Sequence, residues 1–212
     1  MKTSTLPERT VERLSEYRRT LLNCLAQGKT HIFSHELAHL HNITAVQVRR
    51  DIMFIGYSSS QRKGYDVNDL VNVIGRILDS ESGQNVAVVG MGNLGRAITH
   101  YFIGKRSKLN IVASFDIDNN KIDRVISGVK CYSLNALPEV LRELNISVAL
   151  LTVPASAAVE TTERLIEAGI QGILNFTTLP LNVPGHVYLE EYDMITSLEK
   201  VAYFVKMKKG GS

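Results

Sequence analysis

The sequence predicts an α/β protein in which a helix-rich N-terminal domain precedes a Rossmann-like parallel sheet. Apolar residues recur at helical spacing through most of residues 1–83. A β-branched run at Asn85–Val89 leads at once into G-x-G-x-x-G, and strand and helix patterns alternate beyond Asp116. A further apolar helical pattern closes the chain, so we divide it into residues 1–83, 84–190 and 191–212.

The composition is that of an ordinary globular protein. Of the 212 residues, 44% are hydrophobic and 21% are charged, and the formal net charge is +3. No apolar run reaches the length of a membrane span, the N-terminal stretch lacks the apolar core of a signal peptide, and the two cysteines lie far apart. We therefore expect a cytoplasmic protein with reduced thiols and no membrane partner.

The N-terminal domain opens with a helical pattern over residues 7–28. A short helix is expected over Ser34–Leu40, with Ser34 as its N-cap. After a tight turn, Thr44 and Gln47 form a T-x-x-Q capping box that opens a second helix. Apolar side chains of that helix face inward and leave its polar and basic residues toward solvent. Two helices joined in this way are typical of a helix-turn-helix.

A polar, turn-rich loop over residues 57–64 and an extended stretch at 65–67 predict the wing of a winged helix. A connecting helix over residues 67–78 and a polar linker at 79–83 end the domain. The residues that we expect to bind DNA are Thr44, Ala45, Gln47, Arg49, Arg50, Arg62 and Lys63. Residues 1–83 carry eleven basic and nine acidic side chains, so a winged helix that binds a protein stays an alternative.

Four histidines, at positions 31, 35, 39 and 41, cluster in the same region. His35 and His39 stand at i and i+4 on one helix face, as a zinc site requires. No cysteine lies nearby, and we expect a titratable surface with no metal.

Residues 85–95, NVAVVGMGNLG, place a G-x-G-x-x-G motif between a buried strand and a helix expected to end near Phe102. The three glycines permit a tight turn, a close pyrophosphate and close helix–strand packing. Asp116 ends the next strand, where it can accept hydrogen bonds from the adenosine ribose and disfavour a 2′-phosphate. The expected ligand is therefore NAD(H) rather than NADP(H). Its expected contacts here are Gly90, Met91, Gly92, Asn93, Leu94, Gly95, Arg96 and Asp116.

Beyond Asp116 we expect a short helix over residues 121–126, and later a helix over 157–168 capped by Ser156. The strands between them end in a crevice where such sheets bind ligands. The strand-end residues expected at the nicotinamide are Thr152, Val153, Pro154, Asn175, Phe176 and Thr177.

These strand ends contain no His, Lys, Glu or Asp, although a dehydrogenase needs a proton donor or acceptor near the nicotinamide. We therefore expect a sensor rather than an enzyme, with no catalytic residue. An NAD-dependent oxidoreductase stays an alternative.

Residues 192–205 form an amphipathic helical pattern at the end of the chain. Because this pattern follows a complete sheet, it is a candidate dimerisation or domain-swapped element. The alternative is that it covers its own sheet.

Several stretches in the same order resemble the Rex family of redox-sensing transcriptional repressors over nearly the whole chain. They are QVRRD at 47–51, GYDV at 64–67, GMGNLGRA at 90–97, FDID at 115–118, LTVPA at 151–155 and GILNFT at 172–177. The resemblance implies a homodimer with a winged helix, a Rossmann domain and a swapped C-terminal helix. Such proteins bind double-stranded palindromic operator DNA when NADH is scarce and leave it when NADH binds, so the implied ligands are NADH and NAD⁺. The Rossmann half also looks like the CoA-binding domain of acyl-CoA synthetases, which keeps a CoA-binding module open.

By match of motif, the resemblance implies that Arg49 and Arg50 contact DNA and that the glycine motif and the following strand-end aspartate bind the dinucleotide. Tyr101 stands where the family has a tyrosine that responds to the nicotinamide state. Arg19 and Asp193 align with residues proposed to form a state-dependent interdomain link.

Two stretches depart from the family pattern. The wing reads YSSSQRK at 57–63, where the family often carries Phe-Gly and Arg-Gly pairs, and Met194 replaces a Phe that some relatives place against the nicotinamide. The neutral dihydronicotinamide suits an apolar crevice, whereas NAD⁺ has a desolvation cost there, so we expect NADH to be preferred.

Overall fold

The chain divides after Glu81 into two compact units, residues 1–81 and 82–212. In this computed structural model, residues 6–58, 63–102 and 108–209 are described. Each unit has its own buried apolar core. The expected boundary at Gly83 lies two residues beyond this division, and residues 191–212, expected as a separate segment, fall within the second unit.

The described residues of the first unit form four helices and a two-stranded sheet. Its elements are α1 (Glu8–Ala26), β1 (His31–Ile32), α2 (Ser34–Leu40), α3 (Ala45–Phe54), β2 (Tyr65–Asp66) and α4 (Val67–Leu78). The strands β1 and β2 pair antiparallel, and α1 packs along α4 while α2 packs on α3. Leu14, Leu37, Ile52 and Leu70, one from each helix, are fully or almost fully buried together. The helix-turn-helix with its adjoining strands confirms the predicted winged helix.

Local hydrogen bonds fix the starts of α2 and α3. Thr44 is the N-cap of α3, and its hydroxyl oxygen accepts a hydrogen bond from the backbone N–H of Gln47 at 3.1 Å, as the capping box predicts. The prediction of Ser34 as N-cap of α2 is wrong, because Phe33 holds that position. There the Glu36 carboxylate accepts a hydrogen bond of 2.7 Å from the backbone N–H of Phe33. This is the bond by which the third helical residue reaches back to the N-cap in a capping box.

The second unit is a doubly wound sheet. Its elements are β3 (Gln84–Val89), α5 (Asn93–Phe102), β4 (Leu109–Asp116), β5 (Val125–Ile126), β6 (Val129–Ser133), α6 (Leu137–Glu143), β7 (Ile146–Leu151), α7 (Ala155–Glu167), β8 (Gly172–Asn175), β9 (Tyr188–Glu191) and α8 (Met194–Lys209). The strand order is β5-β6-β4-β3-β7-β8-β9, and all pairs are parallel except β5 with β6. The chain passes from β3 to β4 on one side and returns to β7 on the other. The end of β3 is therefore the topological switch point, where such sheets bind ligands.

Two local predictions in this unit are wrong. The expected helix over residues 121–126 is a series of turns that leads into β5. Asp123, inside the expected helix, has a φ of 61°, which a right-handed helix does not allow. Ser127 and Gly128 between β5 and β6 have φ values of 51° and 79°, which suit a two-residue hairpin turn. Ser156 does not cap α7, because that helix begins at Ala155, two residues before the expected start, with Pro154 in the cap position.

Every side chain of helix α8 that the structure describes is exposed. Leu198, Val201 and Phe204 are 68%, 59% and 59% exposed. In this protomer the helix therefore does not cover its own sheet, contrary to the alternative considered above. Among the described parts of the chain, no helix combines the length and the apolar character that a membrane crossing requires.

Candidate nucleotide crevice and nucleic-acid interface

The loop from β3 to α5 holds the three motif glycines in three different environments. Gly90 has a φ of +97°, and a Cβ there would lie 2.8 Å from the carbonyl oxygen of Thr152. A Cβ on Gly95 would collide with the carbonyl oxygen of Gly90, so this glycine lets α5 lie close to the loop. A Cβ on Gly92 would meet nothing within 4 Å. The backbone at Gly92 is therefore open to a closely approaching ligand, as a pyrophosphate requires.

A crevice of 690 Å³ opens at the switch point of the sheet, a size typical of small-molecule sites. Helix α5 begins at Asn93 in its lining, so the positive end of the helix dipole lies where phosphates would bind. The predicted residues that line the crevice are Gly90, Gly92, Asn93, Leu94, Asp116, Thr152, Val153 and Pro154.

Asp116 stands at the end of β4 with its carboxylate held by three donors. Its Oδ2 accepts hydrogen bonds from the backbone N–H of Met91 at 2.8 Å and from Lys121 Nζ at 2.9 Å. Its Oδ1 accepts one from the backbone N–H of Asp118 at 2.9 Å. Burial alone would raise the pKa of this carboxyl, but these donors outweigh it and hold the pKa below its ordinary value. The group is thus a fixed anion at the crevice.

Three other residues expected to contact the dinucleotide, Met91, Gly95 and Arg96, do not line the crevice. The Met91 side chain is fully buried in the core, and its backbone N–H is the donor to Asp116. Gly95 is buried in helix–loop packing. Arg96 is exposed and donates from Nη2 to Asn93 Oδ1 at 2.7 Å. These positions support the loop rather than provide side chains to a ligand.

The two strand ends expected at the nicotinamide differ from each other. Thr152 lines the crevice, but its hydroxyl donates to the carbonyl oxygens of Val89 and Gly90 at 3.0 and 2.7 Å. Asn175 is 1% exposed, and its amide group bonds to Leu179 O and to the backbone N–H of Thr177, both at 2.9 Å. Asn175 therefore ties down the loop after β8 and is not in the lining.

Two aromatic residues predicted at the cofactor also lie outside the lining of this crevice. Phe176 is half-buried, and its ring lies 5.4 Å from that of Tyr192. Tyr101 is 60% exposed near the C-terminal end of α5, the end opposite the glycine loop. Its ring packs edge-on against Phe102 at 5.6 Å.

Sequence reasoning missed the side of the crevice that α7 and the turn after β4 supply. The unpredicted lining residues are Val89, Phe115, Ile117, Asp118, Lys121, Leu134, Ala157, Glu160, Thr161 and Arg164. Spacing gives a signal for Ala157, Glu160, Thr161 and Arg164, which recur at three- and four-residue intervals on one face of α7. Arg164 donates from Nη2 to Leu134 O and Asn135 Oδ1, both at 3.0 Å.

In the first unit, a buried carboxylate joins α3 to α1. Asp51 is 1% exposed, and Arg13 donates to it twice, from Nε to Oδ2 and from Nη2 to Oδ1, both at 2.7 Å. The Tyr17 hydroxyl donates to Oδ2 at 2.9 Å, and Gln47 Nε2 donates to Oδ1 at 2.8 Å. Burial would raise the pKa of Asp51, but the hydrogen bonds from Arg13, Gln47 and Tyr17 keep it below its ordinary value.

This cluster corrects the sequence picture of α3 at one position. Gln47, expected to point to solvent, turns its amide back to Asp51 one helical turn later. Thr44 uses its hydroxyl oxygen as the cap of the helix. Ala45 is half-buried beside the core. These three expected DNA contacts have clear structural roles within the unit.

The outer face of α3 carries the basic residues. Arg49 and Arg50 are exposed, and with Val46, Met53 and Phe54 they line a shallow groove of 480 Å³. Arg49 also donates from Nη1 to Ser34 Oγ at 3.1 Å. Val46, Met53 and Phe54 are 56%, 73% and 59% exposed, a surface that the sequence analysis did not single out. Cations mixed with exposed apolar side chains suit the phosphates and base edges of a DNA groove.

The remaining predicted positions are dispersed. Lys63 is exposed at the end of the wing, and Arg62 lies outside the described residues. Arg19 is exposed on α1 of the first unit. Asp193, in the second unit, caps α8 by accepting hydrogen bonds from the backbone N–H of Ile195 and the hydroxyl of Thr196, at 2.8 and 2.6 Å.

One of the four histidines is not part of a titratable surface. The His41 side chain is 9% exposed, with Nε2 at 3.0 Å from Thr20 Oγ1 and its ring edge-on to Tyr17. Burial lowers the pKa of this imidazole, although nearby Glu16 opposes the effect. Among the described residues, no three His, Cys, Asp or Glu side chains are grouped so as to hold a metal ion.

A winged helix with exposed arginines, on the same chain as a sheet with a dinucleotide-type crevice, defines a class of DNA-binding proteins that respond to a nucleotide. Two relatives extend over nearly all of this chain. The redox-sensing transcriptional repressor Rex of Bacillus licheniformis is 40% identical over 97% of this chain and 96% of its own length. The repressor of the same name from Geobacillus kaustophilus is 40% identical over 95% of this chain and 94% of its own. The chain therefore belongs to the Rex family of redox-sensing transcriptional repressors.

Matches to family models and solved structures agree with this assignment. One model, for the N-terminus of a DNA-binding protein, matches residues 5–52, and one for a CoA binding domain matches residues 81–179. The crystal structure of RSP, a Rex-family repressor, in complex with NADH is 29% identical with a TM-score of 0.86, over 98% of this chain and 97% of that one. The complex of RSP with NAD⁺ and operator DNA is 30% identical with a TM-score of 0.88, over 98% and 95%.

Proposed function

We propose that this chain is a transcriptional repressor that binds operator DNA through its first unit and is released from it when NADH binds to its second. The observation that carries the proposal is the crevice at the switch point. It combines an open backbone at Gly92, the N-terminus of α5 and the fixed anion of Asp116. These features suit the pyrophosphate and the adenosine ribose of NADH and NAD⁺.

The DNA interface that we propose is the outer face of α3 together with the wing. Arg49 and Arg50 are exposed there, and Lys63 is exposed beside the wing. Recognition helices contact base edges in the major groove while wings contact phosphates or the minor groove. We keep Arg62 as a wing contact on the basis of the sequence alone.

We propose a homodimer whose interface includes α8 and an uncovered part of the sheet. The apolar side chains of α8 are exposed throughout, and such a helix in water needs a partner. A shallow groove of 480 Å³ on β7, β8 and β9 offers apolar surface from Val148, Leu174 and Tyr188. A two-fold dimer then presents two recognition helices to the two halves of a palindromic operator.

We propose that NADH acts by binding and not by turnover, in a cytoplasmic protein. Thr152, Val153 and Pro154, which supply the strand end of the crevice, carry no acid or base, and the Thr152 hydroxyl is engaged with backbone carbonyls. A ligand that binds one conformation better than the other shifts the population without any chemistry. The apolar strand end favours the neutral reduced nicotinamide over the cationic oxidised one.

We propose the roles of Arg19, Asp193 and Tyr101 in the switch on the basis of the family resemblance alone. Asp193 accepts one hydrogen bond on each carboxylate oxygen at the start of α8, so an ion pair with Arg19 of either subunit would have to form beside that cap. Tyr101 lies away from the crevice of its own subunit, so its response to the nicotinamide requires a contact outside that crevice.

The test is binding to a labelled palindromic operator at fixed salt, with NADH or NAD⁺ titrated in. We expect NADH to release the DNA at concentrations at which NAD⁺ does not. Arg49→Ala should weaken operator binding by about tenfold or more with either nucleotide. Arg76→Ala, which removes an exposed arginine from α4, is the matched control and should bind as the wild type does.

A second arm tests the crevice. Gly92→Ala adds a methyl group that meets no protein atom, so the fold should persist while NADH no longer releases the DNA. Operator binding that ignores NADH in the wild type contradicts the proposal. Tight CoA binding without NADH binding would support the CoA-binding module, and NADH oxidation by a small carbonyl compound would support the oxidoreductase.

A further inference from the structure

Lys121 stands at the adenosine end of the crevice, in the turn that replaces the expected helix after β4. Its Nζ lies 2.9 Å from Asp116 Oδ2 and 3.8 Å from Asp118 Oδ2. The side chain is 31% exposed and lines the crevice, so the ammonium group is accessible to a ligand.

The hydrogen-bonding capacity of Asp116 leaves room for one further donor. A carboxylate has about four lone-pair sites, two on each oxygen. Oδ2 already accepts from the backbone N–H of Met91 and from Lys121, while among the described residues Oδ1 accepts only from the backbone N–H of Asp118. One site on Oδ1 therefore remains for a ligand. The adenosine ribose offers two neighbouring hydroxyl groups, and Asp116 has a site for only one of them.

We propose that Lys121 binds the second ribose hydroxyl and sets how strongly the site rejects a 2′-phosphate. Its ammonium group carries three N–H donors, and one of them donates a hydrogen bond of 2.9 Å to Asp116 Oδ2. One hydroxyl then donates to Asp116 Oδ1, and the other accepts from Lys121 Nζ. This inference rests on the proposed binding of NADH in the crevice.

The charge of Lys121 has a second effect, on selectivity. The charged side chains that line the crevice are Asp116, Asp118, Glu160, Lys121 and Arg164, which together give a net charge of −1. Removal of Lys121 changes that net charge to −2 at the end where a 2′-phosphate would lie. Asp116 repels the phosphate of NADPH, and Lys121 partly offsets this repulsion. Loss of the lysine should therefore weaken NADPH binding more than NADH binding.

The experiment compares Lys121→Gln with the wild type by the fluorescence of bound NADH and NADPH. We expect the Kd for NADH to rise on the order of tenfold, as for the loss of one hydrogen bond from a charged donor. The Kd for NADPH should rise further, so that the ratio of the two increases. Lys121→Arg, which keeps the charge and the donors, should restore most of the NADH affinity. Lys130→Gln, a lysine on β6 outside the crevice lining, is the matched control and should leave both unchanged.

Two nucleotide analogues locate the contact. If Lys121 binds a ribose hydroxyl, either 2′-deoxy-NADH or 3′-deoxy-NADH should bind the wild type more weakly than NADH, yet bind Lys121→Gln as NADH does. Equal losses for wild type and variant with both analogues overturn the inference, as does an unchanged ratio of Kd values. If one of these two results is obtained while NADH still releases the wild type from the operator, the proposed function stands and only the role of Lys121 fails. A wild type that binds no NADH overturns both.

Discussion

Each unit contains an aspartate whose hydrogen-bond donors keep its pKa below the ordinary value, although burial alone would raise it. The two carboxylates differ in how many hydrogen bonds they accept. Asp51 accepts four hydrogen bonds, two from Arg13 and one each from Tyr17 and Gln47, which fill its lone-pair sites. Asp116 accepts three and keeps one site at a crevice. The same chemical group therefore joins helices where its donors are complete and is available to a ligand where one donor is missing.

The largest expected effect tests the closed carboxylate. Asp51→Asn removes the charge that pairs with Arg13 and places an amide against its donors, which should cost about 3 kcal/mol of unfolding free energy. Urea unfolding followed by circular dichroism measures this cost. Asp123→Asn, in which the aspartate is 78% exposed, is the control and should change stability by less than about 0.5 kcal/mol. An unchanged free energy of unfolding in Asp51→Asn would show that the four hydrogen bonds add nothing to the stability of the fold.

The next effect tests the open carboxylate. Asp116→Ala should weaken NADH binding by about 2 kcal/mol, because it removes an ionised acceptor from the ribose. Operator binding without NADH should be unchanged, since the winged helix lies in the other unit. Calorimetric titration with NADH and operator binding measure the two quantities. If Asp116→Ala abolished operator binding as well, the contrast between the two carboxylates would be lost.

A smaller effect tests whether the donors of Asp51 act one by one. Tyr17→Phe removes only the hydroxyl that donates to Oδ2 and should cost about 1 kcal/mol of unfolding free energy. The buried ring remains, so packing is preserved. The double variant with Asp51→Asn should cost less than the sum of the two single changes, because both remove the same hydrogen bond.

The smallest effect is that of mild acid. The folded pKa of Asp51 lies below its ordinary value of about 3.9, so its stabilising contribution is fully present above that pH and is lost as the pH falls through the folded pKa. Stability of the first unit should therefore depend little on Asp51 from pH 7 to about pH 5 and decline below about pH 4. Thermal unfolding at a series of pH values should show a shallower acid decline for Asp51→Asn. An equal decline in both proteins would assign the acid sensitivity to other carboxylates.

Features encoded by neighbouring residues could be predicted from the sequence. The N-cap at Thr44, the glycine loop and the strand-end Asp116 each depend on residues within a few positions, and the structure has all three. The family resemblance added the homodimer, the palindromic operator and the release of DNA by NADH. These are the features for which spacing alone fixes the geometry.

Features that depend on distant partners could not be predicted. Nothing near Asp51 shows that Arg13, 38 positions away, will meet it, and so Gln47 was expected to face solvent. Asn175 ends a strand at the ligand-binding edge of the sheet, but its amide is hydrogen-bonded to the loop that follows the strand. Lys121 was missed because residues 121–126 were expected to form a helix, whereas the turn after β4 brings it beside Asp116.

The arrangement of α3 has a consequence for how such a protein can change its target. Asp51 anchors the helix from beneath, while Val46, Arg49, Arg50 and Met53 stand on the outer face and make no contribution to the buried core. On the DNA interface proposed above, substitutions on that face would alter the preferred DNA sequence at little cost in stability. The proposal thus assigns operator preference and folding to separate sets of residues on a single ten-residue helix.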